Sequence, residues 1–105
     1  MNIKKKSNAL KYLESLRGGP LTFGRLLHSI RVCDEISQTE LADMMGMSRS
    51  NICDIEKDRR TVTIERAAQF AEVLGYSKNQ FIATVIEDQL RQAGIPFEVE
   101  LKKAA

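Results

Sequence analysis

Apolar residues recur at helical spacing in six stretches of this chain, and only its end switches to strict alternation. Leu10, Leu13 and Leu16 recur at threes between a cap at Ser7 and the break at Gly18-Gly19-Pro20, predicting a short helix over Ser7–Arg17. Thr22 caps a second helix over about Phe23–Asp34, with Phe23, Leu26, Leu27, Ile30 and Cys33 as its stripe. Gly24 inside that helix costs about 1 kcal/mol against Ala and implies close packing on another element. Thr63 caps a helix over about Ile64–Leu74, with Ile64, Ala67, Ala68, Ala71 and Leu74 facing inward and Gly75 as its stop. Ser77 with Gln80 reads as a capping box opening a helix to about Ala93, whose broad apolar face holds Phe81, Ile82, Val85, Ile86 and Leu90. From Ile95 to Lys102 apolar and charged residues alternate, as in a half-buried strand.

The two remaining stretches lie together between Ser37 and Lys57. Ser37 followed by Glu40 is a capping box, so a helix begins at Gln38 and carries Leu41, Ala42 and Met45 on one face. Gly46 stops it, and Ser48 caps the next helix two residues on. Ile52 and Ile55 point this second helix inward, which leaves Arg49, Ser50, Cys53, Asp54 and Lys57 on the opposite face. A short helix held rigidly by its neighbours, with a polar outer face, can enter a DNA major groove.

The string Ser37-Gln38-x-x-Leu41-Ala42, then Gly46-x-Ser48, then Ile52 and Ile55-Glu56, resembles the helix-turn-helix of the lambda-repressor-like (Cro/Xre-type) DNA-binding family. The resemblance spans roughly Thr22 to Tyr76, about half the chain. One departure is Asp58, where the family often has Gly; Asp tolerates left-handed geometry better than most residues. The resemblance implies a mostly α protein, a five-helix domain extended by the N-terminal helix and the C-terminal strand. It divides the chain into an arm and short helix (1–19), a helix-turn-helix module (20–76) and a C-terminal helix and strand (77–105). It also implies roles. Arg49, Ser50, Asp54 and Cys53 would meet base edges. Gln38, Asn51, Lys57, Arg59 and Arg60 would meet phosphates. Arg31 and Glu56 would pair to fix the recognition helix.

The strand at the end lacks a confident partner in the sequence. Pairing with a second copy would satisfy its backbone, and a dimer interface of Phe81, Val85, Ile86, Phe97, Val99 and Leu101 is expected. A fold-back onto Met1–Lys6 and a disordered tail are the other arrangements the sequence allows.

Charge refines this picture. The net charge is +2, with residues 1–19 at +4, residues 20–76 at −2 and the remainder neutral. DNA affinity must therefore come from local placement of Arg49, Lys57, Arg59 and Arg60, with the lysine arm of Lys4, Lys5 and Lys6 as a further source. No apolar run approaches the ~20 residues of a membrane span, no apolar signal core follows the N-terminal lysines, and a cytoplasmic protein is expected. Cys33 and Cys53 in predicted helices are not expected to form a disulfide there. The sequence has no Gly-rich phosphate loop and no usable Ser/His/acid set. His28 with the two cysteines falls short of the four ligands of a structural zinc site, so neither an enzyme nor a cofactor or metal is expected. Three functions fit: a transcriptional regulator, acting as a dimeric repressor on double-stranded DNA; a DNA-binding antitoxin whose toxin partner would use residues 1–19; and a protein-interaction module that has lost DNA binding.

Overall fold

The structure is a computed structural model that describes residues 2–5 and 21–104. In chain order the described elements are β1 (Asn2–Lys5), α1 (Phe23–Cys33), α2 (Gln38–Met45), α3 (Arg49–Glu56), α4 (Ile64–Leu74), α5 (Lys78–Gln92) and β2 (Phe97–Glu100). The described residues are mostly α, with the five helices that the resemblance implied. The predicted helix at Ser7–Arg17 lies outside the described residues.

Each helix begins on a hydroxyl cap. Thr22, Ser37, Ser48, Thr63 and Ser77 accept from the backbone N–H three residues on. Ser37 and Glu40 complete a reciprocal box, with Ser37 N–H donating to Glu40 Oε1 at 3.1 Å. At Ser77 only the hydroxyl's half of the expected box forms. Each helix also ends alike. A left-handed residue follows the last turn, and the next N–H reaches back five positions: Ile36 to Arg31, Met47 to Ala42, Arg59 to Asp54, Tyr76 to Ala71 and Ile95 to Leu90, at 2.8–3.0 Å. Gly46, Gly75 and Gly94 take three of the left-handed positions; Glu35 (φ 57°) and Asp58 (φ 59°) take the others. Asp58 is the departure noted in the sequence, and its Oδ2 accepts from the Thr22 hydroxyl at 3.0 Å.

The core is one cluster drawn from all five helices. Phe23 of α1 meets Phe70 of α4 and Phe81 of α5, each at a ring-centroid distance of 5.8 Å. Leu41, Ala42 and Met45 of α2 and Ile52 and Ile55 of α3 are buried in it. Such a buried side chain contributes about 1.5–3 kcal/mol, so the short α2 and α3 are held by packing rather than by propensity. Gly24 permits α1 to lie on the end of α3: an added Cβ would collide with the Ile55 carbonyl, sit 2.5 Å from Asp58 Oδ1 and 3.1 Å from the Glu56 carbonyl.

Two stripe assignments are corrected. Cys33 is exposed, because α1 ends there and the chain turns away at Glu35. Ile64 is 41% exposed at the first position of α4, and fully buried Phe70 supplies the large apolar group on that helix. The expected dimer surface also fails in part. Phe81, Val85 and Val99 are buried within the single chain, Phe81 completely, so they have no area left for a partner. Ile86, Phe97 and Leu101 are half-buried.

The terminal strand has an internal partner. β2 pairs antiparallel with β1, in the register Asn2↔Glu100, Ile3↔Val99, Lys4↔Glu98 and Lys5↔Phe97. This overturns the pairing of β2 with a second copy. On the other side, the Val99 N–H donates to Glu87 Oε2 of α5 at 2.8 Å. The backbone of β2 is thus engaged on both flanks by its own chain, and β2 packs along α5. The basic arm is not a free tail at residues 2–5, which form β1.

Candidate nucleic-acid interface

The α2–turn–α3 unit follows from its residues. Leu41, Met45, Ile52 and Ile55 anchor both helices in the core, and Gly46 at φ 65° makes the turn between them. The opposite face of α3 then carries Arg49, Ser50 and Lys57 exposed, with Cys53 and Asp54 half-exposed. Asp54 Oδ1 stands 3.9 Å from Arg59 Nη1, with both side chains open to solvent. A pair that loose contributes little and leaves either group available to another partner.

One flank of α3 is organised around Glu56, whose carboxylate is almost wholly buried. Arg31 of α1 grips it with a fork, Nε to Oε2 at 2.6 Å and Nη2 to Oε1 at 3.0 Å, while its Nη1 donates to the Ile36 carbonyl at 2.8 Å. Gln38 Nε2, at the first residue of α2, donates to Glu56 Oε1 at 3.2 Å, and His28 Nδ1 lies 2.8 Å from the same oxygen. Burial alone would push the Glu56 carboxyl up. The bonds from Arg31, His28 and Gln38, with the Arg31 charge, outweigh it and hold the group below its ordinary value. The Glu56 bond raises the Arg31 guanidinium in turn. Glu56 thereby ties together the helix that faces outward, the helix that starts beside it and the scaffold behind both. One amide hydrogen of Gln38 is committed to this hub, and the second hydrogen and the oxygen of the amide remain for another group.

The other flank is an open groove of about 370 Å³ between the start of α3 and the start of α4. Ser48, Asn51, Arg60, Thr61, Thr63 and Arg66 line it. Two helix N-termini and two guanidinium groups converge there, a combination suited to an anion. Arg66 was not among the site residues expected from the sequence; its only sequence signal is its position in the first turn after the Thr63 cap. The sequence left His28 without a metal role, and the structure puts it on Glu56. Lys57 and Arg59 stand at the exposed end of α3, between the two flanks.

Among the described residues no group of three or more His, Cys, Asp or Glu could hold a metal ion, and no helix is long and apolar enough to cross a membrane.

Residues 34–81, just under half the chain, match the profile of a family described as helix-turn-helix. Among solved structures, the restriction-modification controller protein C.AhdI from Aeromonas hydrophila is 27% identical with a TM-score of 0.53, over 56% of this chain and 89% of that one. The clp gene regulator ClgR from Corynebacterium glutamicum is 26% identical with a TM-score of 0.56, over 71% of this chain and 83% of that one. No curated protein matches the chain. With the two capped helices, the left-handed turn at Gly46 and the exposed face of α3 already described, these likenesses show that residues 34–81 carry a Cro/C1-type helix-turn-helix and that the chain shares the fold of solved helix-turn-helix regulators.

Proposed function

We propose that the chain is a DNA-binding transcriptional regulator, acting as a dimeric repressor that reads the major groove of a pseudo-palindromic operator. The observation that carries this reading is the exposed polar face of α3 between two anion-compatible flanks, the Gln38 end of α2 and the Arg60–Arg66 groove. A recognition helix requires that division: base edges specify at the centre, and phosphates position from both sides.

Arg49 and Ser50 open α3 and meet base edges, Arg49 through the two acceptors of a guanine. One turn on, Cys53 contacts a thymine methyl and Asp54 accepts from a cytosine amino group. Gln38 and the start of α2 bind a phosphate on one strand. Asn51 and Arg60, with Arg66, bind one across the groove, and Lys57 and Arg59 add positive charge at the end of α3. Because the module's net charge is −2, affinity depends on these local placements. Two copies would set their recognition helices about 34–36 Å apart on successive major grooves. Their contact must lie outside the buried Phe81, Val85 and Val99; half-buried Ile86, Phe97 and Leu101 are available to it.

A gel shift on random-sequence duplexes, followed by selection and sequencing of the bound fraction, tests the proposal. Enrichment of a pseudo-palindrome is expected, together with dimer mass in light scattering of the complex. Absence of any retained duplex would reject DNA binding and leave a protein-interaction module.

A further inference from the structure

His28 is bound to the Glu56 hub, yet the interface proposed above does not use it. A carboxylate only accepts, so the 2.8 Å contact to Glu56 Oε1 places the ring proton on Nδ1. The side chain is 55% exposed, and Nε2 is the ring nitrogen that Glu56 does not engage. The same Glu56 oxygen receives Gln38 Nε2 at 3.2 Å, so the imidazole stands beside the first residue of α2.

We propose that His28 is a proton-dependent contact to the DNA backbone, sharing with Gln38 the phosphate on that flank. The inference rests on the reading of the Gln38 flank as a phosphate site. In the neutral ring Nδ1–H is committed to Glu56, and Nε2 offers only a lone pair, which repels a phosphate oxygen. In the protonated ring Nε2–H donates to that oxygen, and the ring carries a full positive charge.

The charged neighbours set the balance. Glu56 of α3 lies on one side of the ring, and Arg31 of α1, with Nη2 3.4 Å from Nδ1, on another. Gln38 of α2 is neutral, and Arg25 stands one turn earlier on α1. Since Glu56 is already matched by Arg31, a phosphate is the added anion that tips the ring toward protonation. DNA binding therefore takes up a proton, and affinity rises as pH falls. The chain has a single histidine, so one substitution isolates the effect.

The test measures binding of the whole chain to a fluorescent random-sequence duplex between about pH 5.5 and 8, at several salt concentrations. The wild type is expected to bind about tenfold tighter at the acid end. Its log–log salt slope should steepen by about one unit there. His28→Gln should show neither change. His28→Lys, permanently charged, should carry the steeper slope at both ends of the range. A pH response shared by the wild type and His28→Gln overturns the proposal, as does a Lys variant without the extra slope. Failure of the wild type to bind at every pH overturns the DNA-binding reading as well.

Discussion

Arg31 and Glu56 meet through two nearly parallel hydrogen bonds, 2.6 and 3.0 Å long, although 25 residues separate them in the chain. Both side chains are largely out of water, at 11% and 3% exposure. Removing one partner of such a pair leaves the other charged and stranded, which costs about 3–5 kcal/mol. Arg31→Met should fall in that range in urea denaturation. Arg31→Met combined with Glu56→Leu should recover much of the loss, because no unpaired charge then remains. A double variant as unstable as the sum of the singles would show that the two side chains are not coupled and that a stranded charge is not the source of the loss.

Glu56 also gives stability a pH dependence. Its folded carboxyl titrates below its unfolded value, which is about 4.3 for an ordinary Glu. The stabilisation is therefore fully present above that value and is lost as pH falls through the folded pKa. Asp88 has the opposite sign. Burial raises its carboxyl, against the lowering bonds from the Phe23 N–H and Arg91, so its protonated form is favoured by folding. That contribution is complete below the unfolded value and disappears as pH rises through the folded pKa. Thermal melts from about pH 3 to neutrality should show Glu56→Gln flattening the acid limb of the wild-type curve. Asp88→Asn should steepen it.

Gly24→Ala sets two effects against each other. Helix propensity favours Ala by about 1 kcal/mol. The new Cβ, however, meets backbone oxygens of Ile55 and Glu56, which cannot rotate away as a side-chain end could. Moving α1 off the end of α3 costs about 1–3 kcal/mol as overpacking, so the substitution should be net destabilising. A melting temperature equal to or above that of the wild type would mean that α1 and α3 can separate without cost.

Two left-handed residues invite a comparison. Glu35 and Asp58 each take positive φ without being glycine, at about 1 kcal/mol or more. Glu35→Gly should recover roughly 0.5–1 kcal/mol after the added freedom of the unfolded chain is counted. Asp58→Gly removes the same strain but loses the hydrogen bond from Thr22, about 0.5–1.5 kcal/mol, and should come out near zero. Equal gains at both positions would show that the Thr22–Asp58 bond contributes nothing.

The helical frame was legible because its punctuation is local. Ser37, Ser48 and Thr63 cap from three residues away, and Gly46 and Gly75 stop the chain by their own conformational freedom. Phe70 was missed on α4 because the chosen stripe began at Ile64 and ran through Ala68; the buried face is rotated toward Ala67, Phe70 and Ala71. β1 was legible only as the alternative fold-back onto Met1–Lys6. Asn2–Lys5 holds one apolar residue, and what makes it a strand is the backbone of β2, some ninety positions away. The outward face of α3 could be read from the spacing of Ile52 and Ile55. The attachment of His28 to Glu56 could not, since neither residue carries a local signal for the other, and Arg66 joins Arg60 only where the loop brings α4 beside α3.

The last prediction separates reading from positioning. Arg49 lies on the exposed first turn of α3, whereas Arg60 lines the groove beside it. If Arg49 meets a guanine, Arg49→Ala removes about 1–3 kcal/mol of discrimination at one or two base pairs per half-site. Other positions should keep their preferences. If Arg60 neutralises a phosphate, Arg60→Ala should weaken binding to all sequences by a similar factor. It should also reduce the salt slope by about one unit. Selection from a random duplex library with each variant, followed by salt titration on the wild-type consensus, measures both quantities. The partition of the interface into a reading face and a groove flank stands only if the two profiles differ in this way. Identical changes in preference and slope would mean that both guanidinium groups act on the backbone, and that base readout lies with Ser50, Cys53 and Asp54 alone.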